Sequence, residues 1–463
     1  MSEPSGVQVV QLDTASLGNR SYVVVRGGRA IVVDPPRDID RVEQVLAQHR
    51  AVVDLVVETH HHADYLSGGL ELSRRHGTRY AVPGAVAFDH LEVGDGAELA
   101  AAGLTLRAMS TPGHTTHHLS WVLSTEGQDT AVFTGGSMLY GAVGRTDLVS
   151  PELTVALSRD QWASVRRLGT QLTGAVDIYP THGFGSFCSA TPTSGTESTV
   201  AQQRSQNPAC TTARDDFVAE LLAGYDAYPA YYAHLPAVNA EGPAPIDLSP
   251  PPAAGAAELR DRLEAGEWVL DLRPRADFAA EHVAGTYNLD VTGSIAVYVG
   301  WLIPWGITPV TLLGATSEQV ATAQRELARI GIDRPATVAV GSPQRWAGSA
   351  AEVWHYPRAD FADLAKARGD RDVFVLDTRR QAEWAQGHLD GAVHVPLHEL
   401  IDRIEEIPTG QELWVHCASG FRASIAASVL DAAGRTVVLV DDEFADAADQ
   451  GHHIVVPEAA AIR

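Results

Sequence analysis

Cysteine is nearly missing from this chain: three residues, Cys188, Cys210 and Cys417, in 463. Three thiols cannot build a disulfide framework over such a length, so a reducing compartment is expected, with any working cysteine a thiol or persulfide chemist. Positive charge is scarce too. The 34 Lys and Arg face 58 Asp and Glu, a net charge of -24, which would repel a phosphate backbone and argues against a nucleic-acid partner. Long apolar runs are also lacking. The longest candidate, Ile295 to Ile307, is broken by Gly300, Pro304 and Gly306, well short of the roughly 18 residues of a membrane span. The opening Met1-Ser2-Glu3-Pro4-Ser5-Gly6 carries no basic stretch leading into an apolar one, so no export signal is expected and a cytoplasmic location is.

What is present is a globular composition, 45% hydrophobic and 20% charged, able to bury ordinary cores, and a length that predicts about three domains. Strand-like runs at Tyr22 to Val25, Ala30 to Val33 and Val53 to Val57 alternate with helical patterns, and a helix is expected over Asp215 to Ala227. Pro-rich segments at Gly242-Pro243-Ala244-Pro245 and Ser249-Pro250-Pro251-Pro252 read as extended linker. Beyond them lies an internal repeat. Val269-Leu270-Asp271-Leu272-Arg273 with Phe278, His282, Val283 and Gly285 matches Val375-Leu376-Asp377-Thr378-Arg379 with Trp384, His388, Leu389 and Gly391 at one offset of 106 residues. Two copies of one α/β domain with parallel sheets are the simplest account. The expected domains are 1–245, 256–347 and 348–463.

In the second copy the apolar run Leu413-Trp414-Val415 leads through His416 to Cys417-Ala418-Ser419-Gly420-Phe421-Arg422, with a helix expected from about Ala423. A thiol between a strand end and a helix start faces free backbone N–H groups and the positive end of the helix dipole. Such a place favours a thiolate or an anionic persulfide. Gly420 lets the loop curl, and Arg422 brings a charged fork suited to sulfur oxyanions. This C-x-x-x-x-R loop, with Asp377, Arg379, Glu383, His388 and Gly391 before it, resembles the rhodanese domain from about Val373 to Val440. The resemblance implies that Cys417 accepts sulfane sulfur as a persulfide and passes it on, with Arg422 and the N–H groups of Ala418, Ser419, Gly420 and Phe421 holding negative charge. In the first copy Gly314 falls opposite Cys417, Ser317 opposite Gly420 and Gln319 opposite Arg422. That copy resembles a catalytically silent rhodanese domain with a scaffolding or docking role.

A second cluster opens the chain. Thr59-His60-His61-His62-Ala63-Asp64, Thr111-Pro112-Gly113-His114 and Pro180-Thr181-His182-Gly183 all follow strand-like runs. Imidazoles and a carboxylate converging on one sheet edge are what iron or zinc coordination requires. His61 and His118 read as ordinary hydrogen-bonding or surface histidines. With Asp34-Pro35-Pro36-Arg37-Asp38, Phe133-Thr134-Gly135 and Gly144-Arg145-Thr146-Asp147-Leu148, the cluster resembles the metallo-β-lactamase superfamily with its T-H-x-H-x-D-H motif, within it the glyoxalase II and persulfide dioxygenase branch, from Gln8 to about Pro243. An αββα sandwich is implied, and the domain order resembles persulfide dioxygenase-sulfurtransferase fusions. His60, His62, Asp64, His114 and His182 become the expected metal ligands. The loop His182-Gly183-Phe184-Gly185-Ser186-Phe187-Cys188 resembles the one that places a cysteine beside the metal in those fusions, so Cys188 is a sulfur relay or a buried spectator, and Arg145 a substrate contact.

Two departures stand out. Gly136 replaces the family's metal-binding Asp, and Tyr65 the second His of the Asp-His pair. Within the resemblance, the loss leaves an incomplete Fe(II) triad at His60 and His114 and disfavours a two-zinc hydrolase still more. Asp64 swinging in, or a three-histidine set of His60, His62 and His114, would restore a site for Fe(2+) or Zn(2+).

The sequence thus points to an enzyme of sulfide and persulfide metabolism. Cys417 transfers sulfur, and the first domain acts on a low-molecular-weight persulfide, that of glutathione or a similar thiol, oxidising it to sulfite. Thiosulfate and an acceptor thiol are the expected small partners, and a homodimer the expected assembly. A metal-poor first domain beside an active sulfurtransferase, or a non-enzymatic sulfur-responsive binding protein, are the alternatives.

Overall fold

The computed structural model describes residues 6–456 except 184, 194, 307 and 308. It divides into two compact units, one running to Asp247 and including Ala328–Gly331, the other holding the remainder.

In the first unit, Val-rich segments form two sheets. Six strands, Val7–Thr14, Asn19–Arg26, Arg29–Val33, Val52–Val57, Arg79–Val82 and Leu91–Glu92, lie side by side in chain order. Five more, Glu98–Ala101, Leu104–Ser110, Leu119–Thr125, Gln128–Gly135 and Asp177–Pro180, form the second sheet, also in chain order. Strand residues alternate between faces, and the burial pattern follows. Tyr22, Val24, Ile31, Val33, Leu55 and Val57 meet Leu106, Ala108, Leu119, Trp121 and Phe133 between the sheets. Val23, Val25, Val32 and Val56 face outward against Val42, Val45, Leu46, Leu70 and Leu72, residues of helices Asp40–His49 and Gly69–His76. Helix Thr154–Gln171 covers the other sheet through Val165 and Leu168 on Met109, Val122 and Val132. The αββα sandwich is the expected one. The helix expected to run to Ala227 spans Arg214–Ala223 and stops at Gly224, a residue that costs helix stability, with Pro229 following.

The second unit holds two parallel sheets of one topology. The first orders its strands Tyr287–Asn288, Trp268–Asp271, Val310–Gly314 and Thr337–Val340. The second orders Val393–His394, Phe374–Asp377, Glu412–His416, Thr436–Val440 and the edge strand Arg358–Ala359. All neighbours within them run parallel. The register carries the repeat into space: Asp271 pairs with Leu313, and Asp377 with His416. Gly314 therefore stands where Cys417 stands. One core runs through both copies, joining Leu270, Phe278, Leu289 and Ile295 to Leu376, Val415, Ala426 and Leu430. Among the described residues, no helix is long and apolar enough to cross a membrane.

Candidate functional site

Strand Val52–Val57 ends just before Glu58 and delivers the histidine segment to the sheet edge. His60, His114 and His182 are buried there, one ligand nitrogen from each lying within 4.8 Å of the others. His60 Nε2 is 3.1 Å from His182 Nε2. That spacing suits two nitrogens sharing one ion at about 2.0–2.1 Å each. His114 donates Nδ1–H to the Arg145 carbonyl at 2.7 Å, and its Nε2, buried, has no partner. A backbone carbonyl on one ring nitrogen sets the tautomer that presents the other as a lone pair. Burial and neighbouring imidazoles hold His60 and His114 well below the ordinary histidine range, so both rings are neutral and ready to ligate. These residues fit a metal ion.

The five expected ligands do not act alike. His62 turns Nε2 to Glu58 Oε2 at 3.1 Å and Asp34 Oδ1 at 3.4 Å. Burial opposes charge on His62, but Asp34 and Glu58 outweigh it and push the imidazole up to about 10. Burial lifts Glu58 to about 7, while His62, Thr181 and Thr59 overcome burial at Asp34 and hold it at about 2. The expectation that His62 completes a set with His60 and His114 is thus corrected: His182 fills that place, because two carboxylates draw His62 aside. Asp64 has not swung in beside His60. Its Oδ2 faces His182 Nδ1 at 3.2 Å, while Oδ1 is buried without a partner. His62, Asp64 and His182 form a second group of ligand atoms within 4.8 Å, His182 belonging to both.

Both departures have a structural counterpart. A Cβ on Gly136 would lie 2.1 Å from His114 Cδ2, so the ring fills the space a side chain there would need. Tyr65 stacks on His62 at 4.3 Å and donates its hydroxyl to the Asp34 carbonyl at 3.2 Å. His118 accepts the Gly136 N–H at 3.1 Å and meets Thr111 Oγ1 at 2.9 Å, an ordinary hydrogen-bonding role as expected. Glu58 is the residue missed by sequence reasoning. The available signal was a carboxylate directly after strand Val52–Val57 and just ahead of the histidine segment.

Cys188 is wholly buried, and burial together with Asp64 pushes its thiol well up. Phe184 of the same loop lies outside the described residues. Arg145 spends its fork on Asp147, with Nε to Oδ1 and Nη2 to Oδ2 both 2.7 Å, and lies 4.4 Å from the Tyr228 ring centre. Its backbone carbonyl, not its charge, reaches the cluster.

The thiol site lies in the second unit. Cys417 is 1% exposed, between strand Glu412–His416 and helix Phe421–Ala432. The helix starts two residues before Ala423, and its first amides have no carbonyl to bond. The N–H groups of Ala418, Ser419, Gly420 and Phe421 find no hydrogen-bond partner among the described residues. Gly420 adopts φ +84°, and a Cβ there would meet Asp441 Oδ1 at 2.1 Å, so glycine is required twice over. Arg422 differs from expectation. Its two Nη atoms are on Glu383, at 2.5 and 2.7 Å, and that carboxylate takes the fork expected to serve a sulfur oxyanion. Its charge remains near Cys417.

Residues 17–183 match the metallo-beta-lactamase superfamily and residues 360–448 the rhodanese-like domain. The chain is 30% identical over 198 residues to the human mitochondrial persulfide dioxygenase, across 41% of this chain and 69% of that protein. It is also 30% identical over 237 residues to the hydroxyacylglutathione hydrolase of Cupriavidus metallidurans, across 48% of this chain and 81% of the relative. Among solved structures, a metallo-beta-lactamase from Staphylococcus aureus shares the fold with a TM-score of 0.66 at 22% identity, covering 73% of this chain and 99% of that one. The chain therefore belongs to the metallo-beta-lactamase superfamily, with persulfide dioxygenase and glyoxalase II relatives, and joins that fold to a C-terminal rhodanese domain.

Proposed function

We propose that the protein is a sulfurtransferase of persulfide metabolism that works through a Cys417 persulfide. The observation that carries this reading is the ring of unbonded amides from Ala418 to Phe421 around a buried thiol at a helix start. Amides aimed at a site of developing negative charge stabilise it without reorganising. The Cys417 sulfur attacks the outer sulfur of a donor such as thiosulfate; the donor S–S bond breaks, sulfite leaves with the electron pair, and an acceptor thiolate later takes the terminal sulfur. The loop amides hold the charge of the persulfide between these two events. Mass spectrometry after incubation with thiosulfate should find one added sulfur atom on Cys417, and a Cys417→Ser chain should carry none; an unlabelled wild-type chain overturns the proposal.

The first unit, on this reading, binds a low-molecular-weight thiol persulfide beside an iron or zinc ion held by His60, His114 and His182. Iron there would supply O2 chemistry, converting persulfide, O2 and water to thiol and sulfite. The chain's own part is orientation: Arg145 fixes His114 through its carbonyl, and Asn19 and Asp64 fix His182 Nδ1. Gly136 favours a second reading, a binding domain without turnover. Metal analysis of untagged protein with an oxygen electrode decides between them: stoichiometric iron with O2 uptake on glutathione persulfide supports oxidation, and metal loss in His182→Ala supports this ligand set.

A further inference from the structure

The copy without a nucleophile reaches the Cys417 loop. Arg275, at the start of helix Arg275–Ala280, sends Nη2 to the Ser419 carbonyl at 3.3 Å and Nε to Asp441 Oδ1 at 2.5 Å. The same Asp441 oxygen lies where a Cβ of Gly420 would be. Phe421 packs against the first copy: a Cβ on Gly293 would sit 2.0 Å from its ring, and the Tyr298 ring of helix Ile295–Leu302 lies 5.3 Å from it between centres. The loop that carries the amides is thus gripped at Ser419, Gly420 and Phe421.

Tyr298 has a further property. It is half-buried, and its hydroxyl has no hydrogen-bond partner among the described residues. Burial pushes the phenol up, Arg422 pulls it back and Cys417 pushes it further, so the ring lies within the field of the reacting thiol and its arginine. The Arg422 fork is occupied by Glu383. An oxyanion donor approaching Cys417 therefore finds the Arg422 fork taken, while an unspent O–H belongs to the ring packed beside Phe421 of the same loop.

Resting on the sulfurtransferase reading above, we infer that the first copy is a working wall of the Cys417 site, in which Tyr298 donates a hydrogen bond to the sulfonate oxygens of a thiosulfate-class donor and Arg275 positions the loop. As the Cys417 sulfur bonds to the outer sulfur, the donor S–S bond breaks and sulfite departs with the electron pair, its oxygens held by Tyr298 alike in the bound donor and in the leaving group. The first copy's lost nucleophile then leaves it a substrate-recognition part.

Equilibrium binding of thiosulfate to the full chain tests this apart from turnover. In a Cys417→Ser background, adding Tyr298→Phe should weaken binding about tenfold, the size expected for one hydrogen bond to a charged group. Equal binding by the two chains, or no binding by either, overturns the inference. In active protein, Tyr298→Phe should raise KM for thiosulfate by about the same factor with little change in kcat or in KM for cyanide. Arg275→Gln should lower kcat instead, and Arg275→Lys should recover part of it; a wild-type kcat in Arg275→Gln overturns the positioning role. Failure of wild-type Cys417 to take up sulfur, with binding still sensitive to Tyr298, overturns the reading beneath and not this wall.

Discussion

The two copies in the second unit share a frame and differ at one loop. In each, an arginine folds back on the aspartate two positions earlier: Arg273 Nη2 to Asp271 Oδ2 and Arg379 Nη2 to Asp377 Oδ2 are both 2.6 Å. Each arginine also donates at 2.8 Å to a carbonyl eight residues on, that of Glu281 or Gly387. At the loop the likeness ends. In the first copy Gln319, at the Arg422 position, accepts the Ala315 N–H at 2.7 Å and gives its own N–H to Thr316 Oγ1 at 3.3 Å. In the silent loop the Gln319 side chain takes the first amide, that of Ala315, whereas the matching Ala418 amide in the Cys417 loop is open and the arginine there bonds Glu383 instead. The Asp–Arg pair thus belongs to the scaffold, and the copies part at the thiol, the arginine and the first loop amide.

The largest test of this contrast is to give the silent loop a thiol. Gly314→Cys should carry no added sulfur after thiosulfate treatment, while Cys417→Ser abolishes transfer, both read by mass spectrometry. The first loop has its Ala315 amide taken by Gln319 and no arginine beside it, and a Cβ on Gly314 would already press on Val320 at 2.9 Å. Next come the scaffold pairs. Asp271→Ala and Asp377→Ala should each cost about 3–5 kcal/mol in denaturant unfolding, because each strands a buried guanidinium. A cost confined to Asp377 would break the comparison. Gly420→Ala should cost about 1–2 kcal/mol for its left-handed backbone, with further loss from Asp441, and should lower sulfur transfer.

The smallest effect is a pH dependence of opposite sign in the two copies. Asp377, where burial is outweighed by His416 and Arg379, lies below its ordinary 3.8, whereas burial wins at Asp271 and raises it. His416 faces Asp377 at 3.7 Å, and Leu313 occupies that register position in the first copy. A lowered carboxyl contributes stability above 3.8 that is lost as pH falls through its folded value. A raised one contributes stability that is complete below 3.8 and lost as pH rises through its folded value. Asp377→Asn should flatten the acid loss, and Asp271→Asn the change just above it, in stability measured against pH.

Much of this was legible in the sequence because it is local. The strand, the Cys417 loop and its helix follow one another along the chain, and the repeat's fixed offset reappears as matched strand register. The three clustered histidines, His60, His114 and His182, each sit just past a strand. What escaped depends on residues brought from afar. Glu383, 39 positions before Arg422, claims its fork. Asp34, 28 positions before His62, helps turn that ring. The first copy's Tyr298 and Gly293 reach Phe421 across more than 100 residues. Charge partners and close approaches of this kind leave no periodic trace.

Cys188 has no exposed surface and a thiol pushed well up by burial. In the native state it is a poor nucleophile toward alkylating reagents. Its modification must then await local opening of the first unit, which turns this residue into a built-in clock for breathing motions around the histidine cluster, readable by timed labelling without any engineered probe.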